Sequence, residues 1–87
     1  QLARNISVEY GRNNIRANCI SPGLIKTDFA RALWENEDIL RATTAKSALK
    51  RIGMPDEIAG AAVYLASEAG SFMTGQNIVI DGGESEQ

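Results

Sequence analysis

At 87 residues, with 44% hydrophobic and 23% charged side chains, the chain has the mix of an ordinary soluble globular unit and is too short for two domains. It contains no His and one Cys, which removes Ser-His-Asp and Cys-His catalysis, imidazole metal sites and an internal disulfide. Nine basic against eleven acidic residues leave a net charge of −2, the wrong balance for a duplex nucleic-acid surface, and no run approaches the roughly 18 apolar residues of a membrane span.

The opening Gln1-Leu2-Ala3-Arg4 has neither an initiator Met nor a basic-then-apolar leader, so a segment of something longer is expected. Lone Cys19 suits a reducing, cytoplasmic setting. The first ten residues predict the end of a helix, with Leu2, Ile6 and Tyr10 at four-residue intervals and Gly11 as its left-handed closing residue. Arg12-Asn13-Asn14 is a polar turn. Ile15 to Ile20 alternates in polarity and stops at Ser21-Pro22-Gly23, which predicts a strand with Cys19 as a small buried residue.

Positions 28–53 predict an irregular insertion with short helices around Phe29, Leu33, Trp34 and Ile39-Leu40. Within it, Glu35-Asn36-Glu37-Asp38 marks a solvated helix start, and Glu37 and Arg41 are spaced as an i,i+4 pair. The clearest helix runs from Pro55 to about Ser67. Pro55 suits its first position, Asp56 and Glu57 suit the positive end of its dipole, and Gly70 stops it. Its expected buried stripe is Ile58, Ala62, Leu65 and Ala66, and Ala59-Gly60-Ala61-Ala62 would let a neighbour approach closely. Asn77 to Asp81 ends the series as a strand closed by Gly82-Gly83, its continuous Ile-Val-Ile fitting a parallel strand covered on both faces.

A strand, a crossover helix and a second strand make one βαβ unit of an α/β parallel sheet. Two strands and two helices cannot enclose themselves, so further strands are expected beside Ile15–Ile20. Ser21 to Thr27 falls at the carboxyl end of the first strand, where open α/β sheets bind ligands. Gly23 leaves the backbone bare, and the Leu24 and Ile25 N–H groups with the Thr27 hydroxyl suit an amide or a phosphate oxygen. A plain turn with Thr27 capping the next helix is the alternative.

Asn18 to Asp28 resembles the N-x-x-x-P-G-x-I-x-T stretch of the short-chain dehydrogenase/reductase family. Arg51 to Ala59 (Arg-Ile-Gly-Met-Pro-Asp-Glu-Ile-Ala), Ala62 to Ser67 and Phe72 to Gly83 resemble that family's later landmarks, in the same order and over nearly the whole chain. Leu33-Trp34 is more loosely similar to carbonyl-reductase-like members. The resemblance implies residues 1–87 as one partial domain, the C-terminal part of a Rossmann-like three-layer αβα fold. It further implies hydride transfer between NAD or NADP and a small alcohol or carbonyl compound.

On that resemblance Ile25 serves the nicotinamide carboxamide through its backbone. Thr27 adds a hydroxyl contact, Pro22, Gly23 and Leu24 complete the bed, and 28–53 is the substrate loop. Phe29, Leu33 and Trp34 become an apolar substrate wall, or side chains that merely seat the loop. The family's Gly-rich loop, catalytic Ser and Tyr-x-x-x-Lys pair are absent from these residues. Tyr10 is followed four positions on by Asn14 and Tyr64 by Glu68, so both fit better as packed helix residues. No catalytic and no metal residue is assigned here, and the chain alone is expected to be inactive. A homodimer or tetramer is the expected assembly, and a non-catalytic interaction or oligomerisation element is the alternative function.

Overall fold

The computed structural model describes residues 1–84, so the last three positions of the expected 1–87 domain lie outside the described residues. The elements are α1 (Leu2–Tyr10), β1 (Cys19–Pro22), α2 (Arg31–Trp34), α3 (Glu37–Thr44), α4 (Pro55–Ala66) and β2 (Asn77–Ile80), with single 3₁₀ turns at Gly11–Asn13 and Glu68–Gly70. β1 and β2 are parallel neighbours in register from Cys19 with Asn77 to Pro22 with Ile80, as the expected βαβ unit requires.

β1 starts later than the polarity pattern predicts and runs through Pro22. The residues before it bond to a loop instead. Ala17 N–H donates to Thr74 Oγ1 at 3.1 Å, Gly75 N–H donates to Ala17 O at 2.7 Å, and Arg16 Nη1 reaches the Gly70 and Met73 carbonyls at 2.8 and 3.2 Å. Pro22 is tolerated because alternate residues of a parallel strand donate to the same neighbour. Cys19 and Gly23 donate to Gln76 and Ile80 at 2.8 and 2.9 Å, so the N–H that Pro22 lacks belongs to the open edge.

α4 follows its sequence signals closely. Pro55 holds the first position, and the Glu57 carboxylate accepts the Met54 N–H at 2.9 Å, satisfying an orphan amide. Its half-buried side is Ile58, Ala61 and Leu65, whereas Ala62 and Ala66, expected in the stripe, are exposed. A two-stranded sheet covers only a narrow strip of a helix, so the stripe is thinner than predicted. Nothing lies within 4 Å of a Cβ built on Gly60, so the close approach expected there is not seen among the described residues.

Further expectations are corrected. Gly11 is right-handed (φ −59°, ψ −38°), and the left-handed residue is Asn14 (φ 61°, ψ 35°), because a 3₁₀ turn extends the helix end by three residues. Cys19 is exposed, and Val79 is exposed while Ile78 and Ile80 are half-buried, since one face of the sheet has no cover. On α1 the side toward the protein is Ala3, Ile6 and Ser7, with Leu2 and Tyr10 exposed. Ser7 sits against Gly75, where an added Cβ would come within 2.6 Å of its Oγ. Tyr64 is also exposed rather than packed.

No apolar side chain is buried among the described residues; the buried ones with side chains are Ser7, Thr44 and Ser47. The radius of gyration is 15.6 Å, against about 12 Å for a compact domain of this length. No helix among the described residues is long and apolar enough to cross a membrane.

Candidate nicotinamide-side loop

β1 delivers the chain to Gly23, whose N–H closes the ladder on Ile80. A Cβ on Gly23 would lie 2.8 Å from both Cα and Cβ of Asp81, so the bare backbone here admits the end of β2. Beyond Gly23 the chain makes one parallel bridge, Ile25 opposite Gly53. Lys26 N–H donates to Gly53 O at 2.9 Å and Gly53 N–H donates to Leu24 O at 3.0 Å. In such a bridge the residue between the two bonded ones turns its own groups away. The Ile25 N–H and C=O, and the Leu24 N–H, accordingly have no partner among the described residues.

None of residues 22–27 is buried: Gly23, Leu24 and Ile25 are half-buried and Pro22, Lys26 and Thr27 exposed. A free donor and a free acceptor on one residue complement a primary carboxamide, which offers one acceptor and two donors. Thr27 Oγ1 accepts the Ala30 N–H at 3.3 Å, which is the capping role, and its own proton remains to donate.

Gly53 is held by its flanks. Arg51 grips Glu57 through two bonds, Nη1–Oε1 at 2.9 Å and Nη2–Oε2 at 2.8 Å, the geometry that makes such pairs strong and directional. That contact, then the Met54 N–H, pulls the Glu57 carboxyl from about 4.5 to about 2. Both side chains are half exposed, so solvent screens the energy. Because the folded value is the lower one, the contribution is complete above pH about 4.5 and is lost as pH falls through about 2. A carboxyl 13C titration of Glu57 should therefore show a midpoint near 2, returning toward 4.5 in Arg51→Met.

The insertion after Asp28 contains two helices. Asn36 caps α3 through Oδ1, which accepts Asp38 and Ile39 N–H at 2.8 and 3.2 Å, so the predicted helix start is correct. The surface ion pair is Asp38 with Arg41 at 3.7 Å, three residues apart, in place of the expected Glu37 and Arg41. The far end of the insertion docks on the Gly82 carbonyl, which accepts Ser47 Oγ–H at 3.1 Å and Leu49 N–H at 3.0 Å. A lone Ser in a polar stretch gives no periodic signal, so Ser47 was invisible in the sequence. Gly53 belongs to a visible landmark, but its pairing with Ile25 is not encoded by spacing.

The three apolar residues expected to wall a substrate are not alike. Phe29 is fully exposed and seats nothing, and Leu33 is exposed. Trp34 is half-buried and folded back on the loop, its Nε1–H donating to Thr27 O at 2.8 Å. Lys26 Nζ and the Arg31 guanidinium carbon lie 4.9 and 5.9 Å from its ring centre. No group of three or more His, Cys, Asp or Glu is placed to hold a metal among the described residues.

The family model described as enoyl-(acyl carrier protein) reductase matches residues 1–85. Dehydrogenase/reductase SDR family member 4 of Bos taurus is 43% identical over 82 residues, 94% of this chain and 29% of that protein. The 3-oxoacyl-[acyl-carrier-protein] reductase FabG of Chlamydia trachomatis is 44% identical over 82 residues, 94% of this chain and 32% of that one. The chain thus spans about a third of the length of these curated relatives. A 4-hydroxyisoleucine dehydrogenase solved with NADH superimposes with a TM-score of 0.94 at 35% identity, over 99% of this chain and 35% of that one. YwfH, an NADPH-dependent reductase of bacilysin biosynthesis, does so at 0.87 and 35%, over 99% and 36%. With its α/β fold, its motif order and these matches, the chain belongs to the short-chain dehydrogenase/reductase family.

Proposed function

We propose that this chain is the C-terminal part of an NAD(P)-dependent oxidoreductase that interconverts an alcohol and a carbonyl compound, and that it supplies the nicotinamide-side loop and the substrate lid. The observation that carries this is the unpaired Ile25 N–H and C=O at the carboxyl end of β1. Ile25 would hold the carboxamide, Pro22, Gly23 and Leu24 would floor the ring, and the Thr27 hydroxyl would donate to an amide or phosphate oxygen. The coenzyme, when bound, would give the hydride to the carbonyl in its reduced form and take it from the alcohol in its oxidised form. Residues 28–53 would close over the pair and exclude water. Without a Tyr-x-x-x-Lys pair, these 87 residues would orient the coenzyme within the full-length protein and would not turn over by themselves.

Ile25→Pro in the full-length protein tests this. The substitution removes the free N–H and keeps both groups that bridge to Gly53, Leu24 O and Lys26 N, while it also replaces the Ile side chain and fixes φ. Loss of one such bond should weaken NADH or NADPH binding about three- to tenfold with the fold retained by circular dichroism. Affinity unchanged within about twofold would overturn the assignment.

An assembly role has its own support in the exposed Val63 and Tyr64 of α4 beside the uncovered Gly60. Light scattering that finds only monomer at high concentration removes that role.

A further inference from the structure

Trp34 lies in the segment taken for a substrate wall, yet its polar atom faces the coenzyme loop. The indole has one donor and no acceptor, and that donor is already used on Thr27 O at 2.8 Å. Two cations drawn from both sides of the join lie over the ring, Lys26 from the loop and Arg31 from the lid helix. Little else holds α2. It is a single turn of four residues with no side-chain cap on its N-cap residue, Ala30, and one turn does not sustain itself. The Asp28–Arg31 and Arg31–Glu35 pairs, at 2.9 and 3.8 Å, are exposed and therefore weak. Thr27 O is the shared anchor, since it accepts both Trp34 Nε1–H and, at 3.1 Å, Ala30 N–H. On the other side of Thr27, Lys26 N–H is fixed to Gly53 O, which orients Ile25.

We infer that Trp34 is a positioning residue, a latch whose indole N–H on Thr27 O joins the lid helix to the loop carrying Ile25, so that lid and coenzyme loop hold one geometry. This rests on the nicotinamide assignment proposed above. It differs from a substrate wall in a way that a conservative variant separates, because Trp34→Phe keeps an aromatic face and removes the donor.

The test is made in the full-length protein with NADH, NADPH and a panel of small ketones. Trp34→Phe should raise the KM for the coenzyme and lower kcat, each about three- to tenfold, and leave the KM for the ketone within about twofold. Independently of turnover, the Trp34 indole N–H, identified in an 15N spectrum by its loss in Trp34→Phe, should exchange with solvent at least about tenfold more slowly than free indole. A Phe variant with wild-type constants, or an indole proton that exchanges freely, overturns the latch. A silent Trp34→Phe beside a Trp34→Ala that raises only the ketone KM restores the wall and also overturns it. Should Trp34→Ala fail to fold, the Phe variant and the exchange rate still decide. Wild-type protein that binds neither coenzyme overturns the nicotinamide assignment, and a protected indole in that protein would leave a tie with nothing to position.

Discussion

Gly23→Ala should lower kcat/KM of the full-length protein about a hundredfold, with a drop in melting temperature of several degrees. The added Cβ would stand 2.8 Å from Asp81 Cα, and a backbone atom directly after a paired strand has no rotamer through which to move. Overpacking of this kind costs about 1–3 kcal/mol. The larger effect is on function, because Gly23 is two residues before Ile25 and any parting of β1 from β2 there displaces the free amide. Misplacement of a positioning group by about 1 Å costs on the order of 10²-fold. Gly53→Ala is the matched control. Its Cβ would meet Ile25 Cδ1 at 2.7 Å, the end of a flexible side chain, so rotation of that chain relieves the clash and the loss should be much smaller. Steady-state kinetics and thermal melts of both variants check the contrast.

The second large effect concerns the 87 residues by themselves, which should show no cooperative thermal or urea transition. Their accessible surface is 6486 Å², whereas a compact monomer of 9.4 kDa exposes about 5,000 Å². With roughly 55–60% of protein surface apolar, the excess withholds about 20 kcal/mol of burial. A whole domain is stable by only about 5–15 kcal/mol. Polar clips such as Ser47 on Gly82 and Arg16 on Gly70 position strands without compensating for that loss. Circular dichroism should show partial helix and a shallow, non-sigmoidal melt, with dinucleotide binding absent. A sharp two-state transition in a monomeric sample would contradict this.

How far the sequence was legible depended on whether a signal was local. α4 was readable because Pro55, Asp56 and Glu57 act within one turn, and β2 because an Ile-Val-Ile run between polar residues has few other uses. The limits of β1 were not readable. Arg16, Ala17 and Asn18 carry a strand-like pattern but bond to Gly70, Met73, Thr74, Gly75 and Gln76, more than fifty residues away. Polarity reports burial, and burial here depends on cover that two strands do not provide. That is also why Cys19, Ala62 and Ala66 were assigned to an interior and stand exposed.

At the site, the loop from Pro22 to Thr27 was found from its place after a strand and its glycine. The reason Ile25 is the residue with free groups lies in its pairing with Gly53, a long-range fact with no local trace. For Trp34 the sequence leaves two readings open, a substrate wall or a side chain that seats the loop, and its contact with Thr27 fits the second. Hydrophobicity places an indole against something, and only the position of its N–H says against what.

The most direct measurement is hydrogen exchange at the Ile25 amide of the full-length protein, with and without saturating NADH or NADPH. The Ile25 N–H, unpaired beforehand, should exchange rapidly in the free protein and become protected at least about tenfold when the coenzyme binds, while Lys26, already bonded to Gly53, changes little. An Ile25 amide that keeps exchanging at its free rate with the coenzyme demonstrably bound would mean that the carboxamide rests elsewhere, and that this loop is a structural turn.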